Sequence, residues 1–590
     1  MFVQLTLPKT WPEPLAVAEL EPLFPGARAW LMAPGGGGDL EAELLRAYGA
    51  RAVQRGSYAL QAAEVLGRAS TLILTNHPLP EAWRKPVHAW VRAGGLLIEL
   101  GPRAGGCPSL TAAPSEAARA FYLEGAPLPE VSRWTGPLAA PGDAGAAPGE
   151  ALIRTRGESP RAVLARYRRG EGACLRWWGD VATEWRRQRQ GLEERANEDV
   201  DGKGGFQPRD LLAGTLARGD HDTPSADLLG FAVAASVASP VGLMVAPLPP
   251  GAETVVVLTA DQDFVPDAVV LGQSQALPPE AGLSAMLTAG AIGAAPDVRY
   301  DASPENLVAR DTALALGELG HGVGIHPNLW RLEAGRAGYE AAVEAHAEAF
   351  EEAFRTRALL VRNHHLVWSG YVEMARHQAR AGLAMNFDYI ALAFAPEGEL
   401  GYMAGGAIPA RFGDPEGRVV PILQQATQLD DHVLLPTRFG YHPYDAASLE
   451  ARSRALLKQA ARFRTPLVVN HHPFWWSEDG GRWQRSLVEM ASEVGAPIWG
   501  GGRWLRFVRG QRDVRVWCSG EGSCTVWSTA PNTSLLVSAD RGEVRLDGQP
   551  VSTDDGARRQ LGGQAWRLLK LTAPGSHRID VGDPTGSEQP

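Results

Sequence analysis

TVVVLTADQD, Thr254 to Asp263, joins an apolar, β-branched run directly to two carboxylates. A continuous apolar run of this length predicts a strand buried on both faces, as in a parallel sheet covered by helices. The same event recurs downstream. GVGI is followed by His326-Pro327-Asn328, ALLV by Arg362-Asn363-His364-His365, and PLVV by Asn470-His471-His472, while LAMN leads to Asp388. Helical patterns separate these runs, at Tyr339 to Phe354 and Ser448 to Phe463. Strands ending in reactive residues and followed by helices predict a (β/α) barrel with its active site at the C-terminal ends of the strands. Ten of the fourteen histidines fall between His321 and His472. Core packing does not produce that clustering, because histidine is a minor core residue.

Two carboxylates one residue apart, with imidazoles nearby, are the donors that a Zn²⁺-like ion uses in an open catalytic site. Such an ion lowers the pKa of a bound water to about 7, so hydrolysis at neutral pH is the expected chemistry. Each candidate also has a purely structural reading. Asp261 and Asp263 could cap a following helix, and His326 and His364 could be satisfied strand-end histidines. Arg362 could pair with a surface carboxylate. His321 ends a helical stretch, where the dipole stabilises a charged imidazole. One of His471 and His472 should face the pocket while the other packs, and strand alternation alone leaves the choice open.

Outward from this segment, residues 1–248 alternate strand-like runs (RAWLMA from Arg28, TLILT from Thr71, GLLIEL from Gly95) with helical patterns. That alternation predicts a flavodoxin-like, doubly wound sheet. A hairpin turning at Gly170 to Gly172 would add an antiparallel edge. Residues 185–227 are polar and glycine-punctuated and read as a long loop or lid, and PLPP at Pro247 to Pro250 marks a boundary. The apolar window Leu228 to Leu248 is interrupted by Pro240 and serines, so a buried helix followed by a strand is expected in place of a membrane span. Short alternating runs in 513–590 predict a small β-sandwich ending in a disordered tail.

With 590 residues, 45% apolar and 21% charged, the chain has the composition of a multi-domain globular protein. A net charge of −10 without a basic run argues against nucleic acid as a partner. Cys107, Cys174, Cys518 and Cys524 are expected to be free core thiols, with a Cys518–Cys524 bridge the less favoured alternative. No basic start followed by an apolar segment opens the chain, so a cytoplasmic location is expected, with export by another route left open.

LTADQDF from Leu258, GHGVGIHPN from Gly320, RNHH from Arg362 and VVNHHPFWW from Val468 together resemble, in order and spacing, the motifs of NodB-like polysaccharide deacetylases. The resemblance covers residues 249–512. It implies a deacetylase-like barrel holding a divalent metal, most simply Zn with Co, Mn or Ni as alternatives. It also implies Asp261 as base, Arg362 as the arginine orienting it, and His471 or His472 as general acid. Asp263 and His326 would be metal ligands. Two positions depart from the family pattern. Its metal aspartate falls at Gln262, so either Asp263 takes that role with Asp261 as base, the favoured assignment, or the two exchange roles. Its second metal histidine falls at Trp330, so His364 is the substitute, with His365 and His321 behind it. Residues 1–248 resemble a non-catalytic, class I glutamine-amidotransferase-like domain; Cys107 lacks that family's nucleophile context and is read as structural.

A metal-dependent hydrolase removing N-acetyl groups from an amino-sugar glycan is therefore expected. Trp368, Trp475 and Trp476 would offer flat apolar faces to the carbohydrate, with Asp388 at a neighbouring strand end. Two rivals are an amidohydrolase acting on a small cyclic amide or imide, and a non-catalytic carbohydrate-binding protein with a vestigial site.

Overall fold

The strand Val256–Gln262, buried at every position, lies within a ten-stranded sheet in the computed structural model. The structure describes residues 29–107, 121–125, 128–134, 138, 150–156, 161–200, 202, 205–215, 220–238, 242–263, 267–288, 315–317, 321–330, 332, 335–391, 400–434, 444–473, 476, 479–519, 522–551, 559–561 and 564–582. Across the central sheet the strands run Ala410–Gly413, Val419–Gln424, Met385–Asn386, Leu360–Val361, Gly322–Ile325, Ser284–Leu287, Val256–Gln262, Leu467–His471, Leu429–Asp430, with Ile498–Gly500 also paired to Val256–Gln262. Only Ala410–Gly413 is antiparallel to its neighbour. Helices Tyr339–Phe354, Ala446–Phe463, Asp479–Glu493 and Gly501–Arg512 return the chain between or after strands. The longest begins at Asp445, whose carboxylate accepts from the Ser448 amide at 2.7 Å. Gly324 is required by strand convergence, since a Cβ there would lie 2.7 Å from Met286 Sδ and 2.8 Å from the Leu360 carbonyl oxygen.

Among the described residues the expected closed barrel is absent, because no ladder joins Val419–Gln424 to Leu429–Asp430. The reason lies in the residues between them. Gln425 N donates to Asn386 O and Thr427 N to Tyr389 O, both at 2.8 Å, whereas Gln428 N donates to Val468 O at 2.9 Å. This stretch spends its backbone groups stepping from one side of the gap to the other. The sheet is therefore curled but open.

The N-terminal portion forms a nine-stranded sheet. Val53–Ser57, Ala29–Ala33, Thr71–Leu74, Leu96–Glu99 and Gly172–Trp177 are parallel in that order. Ala162–Arg169, Glu150–Thr155, Phe121–Gly125 and Leu128–Trp134 extend it antiparallel, the first of them through the hairpin at Gly170. The described residues of 185–227 are not one long loop: they take in the end of the helix Val181–Gln190 and the helix Pro208–Leu212, and Gln190 is bound through both side-chain atoms to the backbone of Gly413 in the central sheet. The apolar window forms a helix, Ser225–Ala238, and then a strand, Leu243–Val245. No helix among the described residues is long and apolar enough to cross a membrane.

The C-terminal residues form two antiparallel sheets around a shared core that includes Val516, Val526, Leu535, Val537, Leu569 and Ile579. Leu243–Val245 supplies an edge strand to one of them, paired with Thr533–Ser538. Of the expected disordered tail, 583–590 lies outside the described residues. The expectation of free thiols is overturned: Cys107 is bonded to Cys174 and Cys518 to Cys524. Strand pairing sets Cys518 opposite Cys524, whereas Cys107 lies in the loop after Leu96–Glu99, where Glu99 Oε1 accepts from the Gly106 and Cys107 amides at 2.6 and 3.2 Å beside the strand that carries Cys174. Unfolded but unreduced protein should show no reactive thiol with Ellman's reagent, and four after reduction. The double variant Cys107→Ser, Cys174→Ser should lose about 2–4 kcal/mol in denaturant unfolding of the N-terminal sheet.

Candidate active site

Parallel register assembles the site. Thr259 is paired with Asn470 and Ala260 with His471, so Asp261 and His472 follow side by side. Ile325 is paired with Val361, which puts His326 beside Arg362. Asp430 is paired with Asn470 and brings Asp431 to the same end. All of these residues stand at, or just beyond, the C-terminal ends of their strands.

Arg362 is completely buried. Its Nη1 donates to Asp261 Oδ1 at 2.8 Å and to Asn470 Oδ1, its Nη2 to Thr259 Oγ1 at 2.9 Å and Thr427 Oγ1 at 3.3 Å, and its Nε to Phe387 O at 3.2 Å. Asn470 Nδ2 in turn donates to Asp261 Oδ2 at 3.0 Å. Asp261 is thus held on both oxygens and oriented by a charge that has no access to water.

Asp263 faces a ring of imidazoles. Its Oδ1 lies 3.2 Å from His326 Nε2 and 3.7 Å from His364 Nε2, and its Oδ2 lies 3.9 Å from His472 Nε2. Asp263, His326 and His364 each offer one ligand atom, all within 4.8 Å of one another. His326 Nδ1 lies 2.7 Å from the Arg362 carbonyl, which can only accept, so this nitrogen carries the hydrogen and Nε2 is left to face Asp263. Asp263 Oδ1 is buried, and its close contact with His326 lacks the alignment of a hydrogen bond. A carboxylate oxygen and two imidazole nitrogens aimed at one point, with a buried oxygen unsatisfied, fit a tetrahedral cation that keeps a fourth position open. Burial by itself would raise the Asp263 carboxyl, but the surrounding imidazoles, His326 first, hold it below the usual carboxylate range.

His472 closes the opposite side. Its Nδ1 donates to Asp431 Oδ1 at 2.6 Å, its amide donates to Asp431 Oδ2 at 2.7 Å, and its Nε2 lies 3.7 Å from Asp261 Oδ2. Burial opposes the charged ring, yet the charge and hydrogen bond of Asp431, aided by Asp430 and Asp263, push the imidazole up to about 10. His472 is therefore a protonated acid at neutral pH. Strand alternation sends His471 the other way, its ring 4.7 Å from that of Trp483, and burial lowers it to about 4. The acid role allowed to His471 is not available there.

Several other expected site residues are elsewhere. Trp368 is 1% exposed and packs against Tyr389 and Phe412 in the core, so it has no face for a sugar. Asp388 is fully buried and accepts from Asn363 N at 2.5 Å and Gln378 Nε2 at 3.1 Å; it fixes the loop after Arg362 and does not reach substrate. Trp475 lies outside the described residues, and the Trp476 ring lies near Arg485 on Asp479–Glu493. His321 accepts from Leu283 N at 3.0 Å, and His365 turns outward, so neither joins the ligand trio. Sequence reasoning did not assign roles to Asn470, Asp430, Asp431 and His432. The strand-end rule misses the last three, since QLDDH is preceded by the polar QQAT and its strand is only Leu429–Asp430. Asp430, Asp431, His432 and His472 also bring ligand atoms within 4.8 Å, but hydrogen bonds to His432, Asn470 and His472 already occupy the carboxylates. A separate cavity of about 690 Å³, bounded by Asn197, Ser369, Arg376 and Arg418, shares no residue with this centre.

No protein-family model and no curated protein matches the sequence. Among solved structures, the carbohydrate deacetylase Agd3 aligns over 94% of this chain and 98% of its own at 8% identity and a TM-score of 0.39. A protein described as a polysaccharide deacetylase from Mycobacterium smegmatis aligns over 45% of this chain and 94% of its own at 17% identity and a TM-score of 0.32. An exo-β-1,4-mannosidase from an Opitutaceae bacterium aligns over 27% of this chain and 32% of its own at 17% identity and a TM-score of 0.22, so the chain spans about a third of that enzyme. Scores this low transfer neither a substrate nor a residue role. The glutamine-amidotransferase-like reading of the N-terminal portion finds no support among them.

Zinc titrated into metal-stripped protein should occupy one tight site. Asp263→Ala, His326→Ala and His364→Ala should each weaken it by about 100-fold or more, since each removes a direct ligand, whereas His471→Ala should leave it unchanged. Competition with a chromogenic chelator measures this.

Proposed function

We propose that the chain is a metal-dependent deacetylase that hydrolyses the N-acetyl group of an amino sugar. One observation carries the reading: a base clamped by a buried arginine, a trio of metal-type donors and a charged histidine surround one point at the strand ends. Asp261 Oδ2 lies 3.7 Å and Asp263 Oδ2 3.9 Å from the same His472 nitrogen.

Asp263, His326 and His364 would hold the cation. A divalent ion held there would supply Lewis-acid chemistry, polarising the substrate carbonyl and easing deprotonation of water near neutral pH. Asp261 accepts the proton of the attacking water. Arg362 and Asn470 keep that carboxylate aimed during the transfer. His472, charged through Asp431, donates its Nε2 proton to the departing nitrogen, which leaves as an amine. The geometry suits an amide, because nitrogen is a poor leaving group until protonated and His472 carries a proton at neutral pH.

The amino-sugar substrate rests on the resemblance of LTADQDF, GHGVGIHPN, RNHH and VVNHHPFWW to polysaccharide deacetylases. The two disulfides favour an oxidising compartment over the cytoplasm as the place of action.

Acetate release from N-acetylhexosamine oligomers by the zinc-loaded protein tests this. Asp261→Asn and His472→Ala should each reduce kcat by about 10²–10⁴-fold, with His471→Ala within a few-fold of the parent. Ring-opening hydrolysis of a cyclic imide, with no acetate released from any oligosaccharide, would replace the substrate class. A protein that binds sugar but releases no acetate with any divalent ion would be a binding module.

A further inference from the structure

His364 and His365 are adjacent but turn in opposite directions. His364 is buried and faces Asp263, while His365 is exposed. The chain achieves this by placing His365 at φ 55° and Leu366 at φ 53°. Two consecutive non-glycine residues in the left-handed region are strained, and strain of this kind persists where surrounding contacts enforce it. Those contacts are present. Gln207 Nε2 donates to His365 O at 2.8 Å, and Leu366 is buried.

The outward ring meets an indole. His365 and Trp330 are stacked, their centroids 4.4 Å apart with an interplanar angle of 29°. From there a chain of ring contacts runs to the metal-type donors: His365 to His364 at 4.3 Å and His364 to His326 at 5.2 Å. Asn328 Oδ1 ties the two levels together, accepting from Trp330 N at 3.3 Å and lying 3.2 Å from His364 Nδ1. Trp330 is only half-buried. Trp330 packs against the neighbouring hydrophobic core yet stays partly exposed, so a large, flat apolar side chain lies one ring contact from His364 by way of His365, a placement useful for recognition.

We propose that Trp330, backed by His365, is the shelf on which the substrate's pyranose ring rests, its C–H face against the indole, so that the N-acetyl group reaches the donors at Asp263, His326 and His364. The shelf names the substrate contact of the deacetylase site proposed above and rests on that reading. Stacking needs a flat face, so tryptophan and phenylalanine serve while leucine of comparable bulk does not.

Isothermal titration of the zinc-loaded full chain with N-acetylhexosamine tetramers of gluco and galacto configuration tests it, alongside KM and kcat for acetate release. Trp330→Ala and Trp330→Leu should bind about tenfold or more weakly, with KM rising and kcat falling less, while Trp330→Phe stays within about threefold. Zinc content should be one per chain in all three. The shelf is overturned if leucine binds as well as phenylalanine, if the Ala and Leu variants lose zinc, or if no tetramer binds the parent protein. A parent that binds tetramers through Trp330 yet releases no acetate removes the deacetylase reading and leaves the shelf standing.

Discussion

A guanidinium with no access to water sits where the central strands end, and the remaining geometry follows from satisfying it. An uncompensated buried charge costs several kcal/mol, so Arg362 requires a carboxylate and further acceptors. It finds them on segments far apart in sequence: Asp261 and Thr259 on one strand, Asn470 on a second, Thr427 in the crossing stretch, and the Phe387 carbonyl. Its own carbonyl meets His326 Nδ1. Through these contacts one side chain fixes the position of the base and, through its backbone, the tautomer of a metal-type donor.

The acid side is organised by a different balance. Around His472 the carboxylates of Asp431, Asp430 and Asp263 outweigh desolvation, whereas at His471, one residue earlier and equally buried, desolvation prevails and the ring is neutral. Two adjacent residues of the same type therefore have opposite charge at neutral pH. Side-chain alternation decides this, together with the register that delivers Asp431 beside Leu467–His471.

The strand ends were readable because buried parallel strands leave long apolar runs, and whatever follows them stands out. Asp261, Asp263, His326, Arg362, His364 and His472 are all found by that single rule, and the structure brings them together. What the rule cannot supply is direction. Trp368 and Asp388 lie near strand ends in sequence yet point into the core, and only tertiary packing separates them from their neighbours. The same limit hid the Cys107–Cys174 bridge, whose partners are 67 residues apart in the chain and meet only through tertiary packing, while Cys518–Cys524 was left as the less favoured alternative. Barrel closure failed for a third reason: the backbone of Gln425 to Gln428 bonds to flanking segments on both sides, a choice that hydrophobic period does not encode.

The N-terminal portion is more than an appendage to this sheet. Asp227 on Ser225–Ala238 accepts from Tyr48 Oη at 2.7 Å and from Arg189 Nη1 at 3.1 Å, and also from the amides of Ala407 and Ile408 that lead into Ala410–Gly413. Glu43 accepts from the Arg411 amide in that edge strand and from Arg512 at 2.5 Å. An antiparallel edge strand would otherwise expose a row of unpaired backbone groups. Buried ionic contacts of this kind add little net stability but make misplacement expensive, since any slip leaves a charge unpaired. They therefore specify one seating of the edge. From Ala410–Gly413 that seating passes through Val419–Gln424 to Thr427, whose hydroxyl is one of the acceptors of the buried guanidinium.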